Sequence, residues 1–280
     1  MEILAPAGCA RARDLFAAPR LRLSLDALIA GNSPGTLWVD DPAAPRSALM
    51  WDGDGSVALA GDANNAAFLR EAASVIAERM LARHHSLKIR YGHPGWEGAM
   101  AALFPGATLS VGARVLYSFG RVALPDWRSR VPEGFAIRAV DEALLAADGL
   151  ANIGRLRAEV AAHWPSVERY LARGLGYCAL RGDEVAGWCD GGLASPGKTS
   201  ITIETMERYR RLGLATLMAS AFLERCQREG IAPYWDAWAD NWGSLATAER
   251  VGLARIDAYA IRVYGPPRAP QPSERTPRGI

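Results

Sequence analysis

The sequence predicts a mixed α/β (α+β) fold, in which a central sheet of parallel and antiparallel strands is flanked by helices. Two observations predict this class. Short apolar runs with strand-like patterning alternate with longer segments of helical periodicity along the 280 residues. The order strand, strand, strand, helix, strand, helix, strand also occurs twice, and half of the residues are apolar, enough for two cores. We therefore expect a degenerate N-terminal copy at 1–125 and a complete C-terminal copy at 131–265.

The N-terminal copy repeats the strand and helix order in shortened form. Its predicted elements are the strands 36–40, 48–52 and 57–61, the helix 65–83, the strand 86–91, the helix 96–104 and the strand 108–119. The long helix is indicated by apolar residues at helical spacing, namely Phe68, Leu69, Ala72, Val75, Ile76 and Met80.

The C-terminal copy follows the turn Pro132-Glu133-Gly134. Its predicted elements are the strand 135–138, a helix 142–147 capped by Asp141, a helical region 150–172, the hairpin strands 176–180 and 185–193, the strand 199–206, the helix 212–229, the strand 233–239, the helix 244–251 and the strand 255–264. The proline-rich segment 266–280 is expected to be disordered.

A short basic turn joins the strand 199–206 to the helix that follows it. The first turn of a helix has N–H groups without internal partners and lies at the positive end of the helix dipole, so it attracts anions. Gly213 and Ala215 leave little side chain beside the backbone, Arg210 and Arg211 add charge, and Thr216 adds a hydroxyl donor. The segment therefore predicts a pyrophosphate site. A solvated basic helix start is the competing interpretation.

The spacing Arg210-x-x-Gly213-x-Ala215 after a strand resembles the acyl-CoA motif of the GCN5-related N-acetyltransferases (GNAT). Two later motifs follow in order, Trp235-Asp236 with Asn241-x-x-Ser244, and Ala248-Glu249-x-x-Gly252. Their form is similar to the branch that includes zwittermicin-resistance-type acetyltransferases. The resemblance covers roughly residues 131–265. It implies a GNAT fold, with acetyl-CoA as the acyl donor.

The resemblance also implies how this chain would hold the donor. In the family the pantetheine arm lies between the strand before the turn and the strand after it, which here places it between 203–206 and 234–238. The implied cofactor-binding residues are Ile203, Thr205, Met206, Arg210, Arg211, Leu212, Gly213, Leu214, Ala215, Thr216, Asn241 and Ser244. The N-terminal copy has an acidic segment, 61–65, in place of the basic turn, so we expect no CoA site there.

Glu204 is the candidate general base, because a carboxylate in an otherwise Ile/Thr strand is costly to bury without a task. The alternative is an ion pair with Arg208 or Arg210. Many family members carry a tyrosine at or near the position of Ala248, and its absence leaves the general acid open. Ser244 is the other catalytic candidate. Asn241 is equally suited to capping the next helix.

The segment 161–165 corresponds to the part of the family fold that lines the acceptor pocket. The candidates for substrate contact are His163, Trp164, Trp235 and Trp238. Plain packing is the alternative for each tryptophan, since tryptophans at strand spacing are usually part of a core. A surface position without substrate contact is the alternative for His163.

These observations predict an acetyl-CoA-dependent N-acetyltransferase acting on a primary amine of a small molecule by direct attack. One alternative is a catalytically inactive CoA-binding, sensing or scaffold protein. Another is an N-acetyltransferase for proteins or peptides. The choice of a small-molecule substrate rests on the resemblance alone.

Several other classes do not fit the composition. A net charge of +2 and the absence of basic blocks with interleaved aromatic residues argue against a nucleic-acid partner. The sequence has no motif for a nucleotide or dinucleotide cofactor and no histidine spacing typical of a metal site, so we expect no cofactor other than acetyl-CoA. It also has no apolar run long enough to span a membrane. Four cysteines without a Cys-x-x-Cys motif indicate a cytoplasmic protein. A homodimer is left open.

Overall fold

The computed structural model describes residues 1–120 and 122–266, which form two compact units. Within the described residues, the first unit contains Met1–Arg114 and residues 259–266, and the second contains Val115–Ala258. This division differs from the predicted ranges 1–125 and 131–265, because both boundaries fall inside long strands, Ser110–Phe119 and Leu253–Tyr264. The predicted disordered tail, 266–280, lies outside the described residues except for Pro266.

The first unit follows the predicted order with an addition near the N-terminus. Its elements are β1 (Glu2–Ile3), a 3₁₀ helix (Pro6–Ala12), α1 (Pro19–Ile29), β2 (Thr36–Val39), β3 (Ser47–Trp51), β4 (Ser56–Gly61), α2 (Ala66–Val75), β5 (Leu87–Tyr91), α3 (Met100–Leu103) and the first half of β6 (Ser110–Phe119). The predicted helix 65–83 is α2 continued by a π-helical segment, Ile76–Leu81. The predicted helix 96–104 is a 3₁₀ segment, Pro94–Ala99, followed by α3.

Helix α1 was not expected from the sequence. It begins at Pro19, and the preceding Ala18 offers no side chain to cap the helix. A Ser, Thr, Asp or Asn at this position is the usual sequence sign of a helix start. The helix is held mainly by tertiary packing, since Leu21 and Leu25 are fully buried.

The sheet of the first unit runs in the order β1-β2-β3-β4-β5, and the last residues of Leu253–Tyr264 pair with β5. Only the β4–β5 pair of these is parallel. Alternate strand residues enter two cores: Leu49 packs with Phe68 of α2, whereas Met50 packs with Leu25 of α1. Helices therefore cover both faces of this sheet.

The second unit contains the remaining strands and α-helices, beginning with the second half of β6. They are β7 (Phe135–Ala139), α4 (Glu142–Ala146), α5 (Ile153–His163), α6 (Val167–Arg173), β8 (Gly176–Arg181), β9 (Glu184–Asp190), β10 (Ala194–Ser195), β11 (Lys198–Thr205), α7 (Leu214–Glu229), β12 (Ala232–Trp238), α8 (Trp242–Arg250) and the first part of β13 (Leu253–Tyr264). The predicted cap is confirmed, because Asp141 accepts the amide of Leu144 at 2.8 Å. The predicted helix 150–172 is interrupted at Pro165.

The sheet of the second unit runs β7-β8-β9-β11-β12, with β6 beside β12. The pair β11–β12 is parallel, whereas β7–β8, β8–β9 and β9–β11 are antiparallel. Directly opposite residues share a face of the sheet. Gly187 lies opposite Thr205 on the face covered by Met218 of α7, and Trp188 lies opposite Glu204 on the face reached by α5. This arrangement of helices on a mixed sheet confirms the predicted fold class.

Candidate functional site

Strands β11 and β12 part from each other within the second unit. Their parallel ladder runs from Lys198 opposite Ala232 to Ile201 opposite Trp235. Beyond that point β11 continues to Thr205 and β12 to Trp238 with no further pairing recorded between them. The opening thus begins after Trp235, two residues later on β12 than the start of the predicted gap at 234–238.

The pairing pattern directs two backbone positions of β11 at this opening. Residues of an antiparallel pair alternate between bonding to the neighbouring strand and pointing away from it. The amide of Met206 donates to Ala186 of β9 at 2.9 Å, so the even-numbered residues bond toward β9. Ile203 and Thr205 therefore direct their N–H and C=O groups toward the β12 side. The carbonyl of Thr205 accepts a hydrogen bond from Arg210 Nε at 3.3 Å.

The basic turn follows directly on β11 and ends at an open helix start. A 3₁₀ turn, Glu207–Tyr209, leads into exposed residues 210–213. Arg211 and Gly213 both have left-handed backbones, with φ of 65° and 78°. No side chain caps α7 and no acidic residue occupies its first turn. A Cβ at Gly213 would have no atom within 4 Å. The free N–H groups and the dipole of a 16-residue helix therefore face open space beside Arg210 and Arg211.

The remaining turn residues divide into exposed and buried ones. Leu212 is exposed, Ala215 is half-buried, and Leu214 is buried, so Leu214 would contribute to an anion site only through its amide. Thr216 was expected to offer its hydroxyl, but its side chain is buried because this position of the first helical turn faces the core. The contribution of Thr216 is therefore also limited to its amide.

Glu204 lies at the end of β11 in an ion pair. Its Oε1 accepts a hydrogen bond from Arg155 Nη2 at 2.9 Å, and 41% of its side chain is exposed. The sequence suggested Arg208 or Arg210 as partners, and that choice was wrong. Arg208 instead pairs with Glu184, and Arg210 turns toward the carbonyl of Thr205. Glu204 thus combines partial exposure, a position beside the opening and a displaceable partner.

Asn241 and Ser244 organise the start of α8. The side chain of Asn241 accepts the amide of Ser244 at 3.1 Å, which confirms the capping interpretation of Asn241. The indole N–H of Trp235 donates to Ser244 Oγ at 2.9 Å. Because this bond uses the oxygen as an acceptor, the hydroxyl proton of Ser244 is left to donate elsewhere. Ala248, at the position of the missing tyrosine, is fully buried.

The expected acceptor residues do not all lie where a substrate could touch them. Trp164 and Trp235 are buried, and their indole N–H groups are already bonded to Gly191 O and Ser244 Oγ, so the packing interpretation holds for both. Trp238, the last residue of β12, is half-buried. His163 ends α5 and is partly exposed, with Nδ1 3.0 Å from the carbonyl of Glu159.

A buried carboxylate, Asp190, lies on the same sheet face as Glu204 and was missed by the sequence reasoning. It is fully buried at the end of β9, opposite Thr202, beside the hydroxyl of Tyr170 and the backbone of Gly191. Burial, with a smaller contribution from the neighbouring Glu159, raises the pKa of Asp190 to about 7, although Tyr170 and His163 oppose the shift. The sequence signal was weak, a single Asp at the end of an apolar run.

The corresponding helix start in the first unit is closed. Asn65 caps α2 by accepting the amide of Phe68 at 3.1 Å, and Asp62 lies just before it. These features are in keeping with the expectation that the N-terminal copy lacks a CoA site, which stays a prediction. No group of three or more His, Cys, Asp or Glu side chains in residues 1–120 and 122–266 is arranged to hold a metal ion.

Comparison with known proteins points to one family. The model of the GNAT acetyltransferase family matches residues 13–262. The chain is 25% identical over 232 residues to the uncharacterized N-acetyltransferase YdfB of Bacillus subtilis strain 168, covering 83% of this chain and 86% of that protein.

Two solved structures share the fold. A GCN5-related N-acetyltransferase-like protein from Streptococcus suis has a TM-score of 0.70 and 23% identity, covering 92% of this chain and 98% of the other. A tandem GNAT protein from the clavulanic acid biosynthesis pathway has a TM-score of 0.61 and 17% identity, covering 95% of this chain and 98% of the other. The tandem architecture of the latter supports the two-copy description of the present fold.

Proposed function

Because the chain belongs to the GNAT acetyltransferase family, we propose that it is an acetyl-CoA-dependent N-acetyltransferase acting on a primary amine of a small molecule. The proposal rests on one observation: the β11–β12 opening adjoins an uncapped helix start that carries Arg210, Arg211 and Gly213. An open strand edge and an open helix N-terminus are complementary to the two ends of a pantetheine diphosphate. The motifs at 235–252 support assignment to the zwittermicin-resistance-like branch.

The residues of the opening fit the chemical groups of CoA. Arg210, Arg211 and the amides of 212–216 would bind the pyrophosphate, and the backbones of Ile203 and Thr205 would bind the pantetheine amides as an added strand does. Met206 was also expected to bind the cofactor, but its side chain is buried and its amide donates to Ala186 of β9, so its backbone is turned away from the opening. Asn241 remains a candidate for contact with the pantetheine. When bound, acetyl-CoA supplies an activated thioester whose acetyl group an amine can accept. The amide of Thr205 points into the opening, where it would donate a hydrogen bond to the carbonyl oxygen of the thioester.

Glu204 has the role of proton acceptor in this proposal. An alkylamine with a pKa of about 10.4 is mostly protonated at neutral pH, and its proton must leave before the nitrogen can attack. The carboxylate of Glu204 is exposed enough to take this proton, directly or through water, while the ammonium replaces Arg155 as its ionic partner. Ser244 is the candidate proton donor to the departing CoA thiolate, since its hydroxyl proton is not used in the hydrogen bond from Trp235.

The acceptor would lie along α5, which faces Glu204. Arg155, Glu159 and His163 follow one another at four-residue spacing and so share one side of this helix. His163 and the half-buried Trp238 remain candidates for contact with the acceptor. Trp164 and Trp235 would not touch the acceptor. Their indole N–H groups would instead hold the carbonyl of Gly191 and the hydroxyl of Ser244 in position.

Location in the cytoplasm is part of the proposal. All four cysteines, Cys9, Cys178, Cys189 and Cys226, are buried free thiols, as expected in a reducing compartment. Burial raises the pKa of Cys178 to about 12 and that of Cys226 to about 12, which keeps these thiols protonated and unreactive. Separately, no helix in the described part of the chain has the length and apolar character needed to cross a membrane.

A CoA-binding protein without catalysis is the second candidate. It is favoured by the ion pair that occupies Glu204 and by Ala248 at the position of the tyrosine. The two candidates differ in one measurable property. The enzyme releases free CoA thiol in the presence of an amine, whereas the binding protein gives heat on CoA titration without release of thiol.

The test combines calorimetric titration of CoA with thiol release from acetyl-CoA over a panel of amines, aminoglycosides and peptides. We expect CoA binding and turnover with one class of small amine. Glu204→Gln should lower kcat by roughly 10² to 10⁴ while leaving CoA binding intact. Glu229→Gln is the matched control, because Glu229 is also a partly exposed carboxylate paired with an arginine, at 2.8 Å from Arg225. Equal loss in both variants, or turnover only with peptides, would contradict the proposal.

A further inference from the structure

We propose that Glu184 is a positioning residue that couples the basic turn to helix α5, so that CoA bound at the turn orders the helix facing the acceptor. The inference rests on the proposed CoA site. Glu184 is the first residue of β9, and only 8% of it is exposed. Both oxygens of its carboxylate are used, one by the turn and the other by the segment that starts α5.

The turn is bound through Glu184 Oε2. The hydroxyl of Tyr209 donates to this oxygen at 2.6 Å, and the guanidinium of Arg208 pairs with it. Tyr209 is buried and directly precedes Arg210, the first residue of the motif. The position of the exposed residues 210–213 is therefore set by a neighbour that Glu184 holds.

The start of α5 is bound through Glu184 Oε1. The side-chain amide of Asn152 (Nδ2) donates to this oxygen at 2.8 Å and to the carbonyl of Val185 at 3.1 Å. Asn152 has a left-handed backbone with φ of 64° and directly precedes Ile153, where α5 begins. This conformation is uncommon outside glycine, so the two hydrogen bonds offset its cost.

The two segments therefore depend on one another. A nearly buried carboxylate is stable only when its oxygens are paired, and loss of either partner leaves charge without compensation. Fixing residues 210–213 on an anion keeps Tyr209 and Arg208 on Glu184, which in turn holds Asn152 and the first turn of α5. That turn carries Arg155, the partner of Glu204. By linkage, CoA binds the molecules with an ordered α5 more tightly, by the same factor by which bound CoA favours the ordered helix.

The experiment measures hydrogen exchange of residues 153–163 with and without CoA, and the Kd of CoA by calorimetry. In the unmodified protein we expect CoA to slow exchange in α5 by about tenfold. In Tyr209→Phe, which removes only the hydroxyl, slowing should fall below about twofold and the Kd should rise by up to about tenfold. Tyr117→Phe is the matched control, because it removes a buried tyrosine hydroxyl bonded to Glu249 at 3.1 Å in the same unit.

Asn152→Gly tests the link at the α5 end, because glycine tolerates the left-handed backbone but lacks the side-chain amide that bonds to Glu184. It should also abolish the CoA-dependent slowing. If Glu184 had only a structural role, hydrogen exchange in α5 would be faster in both variants without CoA, but CoA would slow it as much as in the unmodified protein. That result overturns the inference. CoA binding with no effect on α5 of the unmodified protein overturns it as well. Absence of CoA binding to the unmodified protein would instead remove the proposed function together with the link.

Discussion

Arg155 of α5 donates to Glu204 of β11 across 2.9 Å, which joins a helix on the sheet face to the strand end at the β11–β12 opening. Both side chains are partly exposed, at 59% and 41%. Exposed ion pairs contribute little to stability because water and salt screen them. The ion pair therefore orients the carboxylate of Glu204 but binds it only weakly, so an incoming ammonium group can replace the guanidinium of Arg155.

The first prediction follows from this weak pairing. Arg155→Ala should change the free energy of unfolding by less than about 1 kcal/mol, and a double-mutant cycle with Glu204→Gln should give a coupling energy within the same limit. Denaturant titration measures both. A coupling energy of several kcal/mol would identify a structural ion pair and remove the argument that an amine can displace Arg155.

The second prediction concerns the left-handed backbone of Gly213. Gly213→Ala should lower the free energy of unfolding by about 1–2 kcal/mol, because a Cβ is unfavourable at φ of 78° even where no atom lies within 4 Å. The added methyl group would also stand between the α7 amides and an anion, so the Kd of CoA should rise by at least about tenfold.

Gly182→Ala provides the control for this substitution. Gly182 also has a left-handed backbone, with φ of 57°, and open space at its Cβ, but it lies in the β8–β9 turn. We expect a similar loss of stability with no change in CoA binding, as measured by chemical denaturation and calorimetry. A weakened Kd in both variants would attribute the effect to backbone strain alone.

The third prediction separates two roles of Ser244. Ser244→Ala leaves the buried indole N–H of Trp235 without its acceptor, so the free energy of unfolding should fall by about 1–3 kcal/mol. Thr247→Ala, which removes an exposed hydroxyl bonded to Gly243 on the same helix, should cost less. If Ser244 is also the proton donor, kcat of the folded variant falls, whereas an unchanged kcat limits Ser244 to support of Trp235.

Local signals made much of the second unit predictable. The helix α7 was anticipated because its apolar stripe lies between Gly213 and Gly230, both of which have left-handed backbones. The caps of Asp141 and Asn241 were readable for the same reason, since a capping side chain acts within three residues. The helix α1 was missed because its start has no such signal and its stability comes from packing.

Side-chain partners across the chain were not predictable. Arg155 and Glu204 are 49 residues apart, so only the folded sheet brings them together. The nearby Arg208 and Arg210 were more plausible from the sequence, but the turn directs them to Glu184 and to the carbonyl of Thr205. The burial of Asp190 likewise results from the packing of α5 and α6 onto β8 and β9, which no local pattern records.

The fourth prediction concerns Asp190, which is surrounded by Tyr170 of α6 and by Glu159 and His163 of α5. Burial raises the pKa of this carboxyl from 3.8 to about 7, so the folded protein binds its proton more tightly than the unfolded chain does. The resulting stability is fully present below the unfolded pKa and is lost as the pH rises through the folded pKa. The carboxyl of Asp190 therefore makes the protein less stable as the pH increases toward 7.

Asp190→Asn should abolish this dependence, because the amide is uncharged at every pH and fills nearly the same space. Between about pH 5 and about pH 8, the free energy of unfolding of the unmodified protein should fall by roughly 2–3 kcal/mol relative to that of the variant. Urea titrations at the two pH values measure the difference, and His163→Gln tests its origin. Since His163 lowers the pKa of Asp190, its removal should enlarge the pH effect. Parallel pH profiles for the unmodified protein and Asp190→Asn would show that Asp190 keeps an ordinary pKa, because a partner then stabilises its charge in solution.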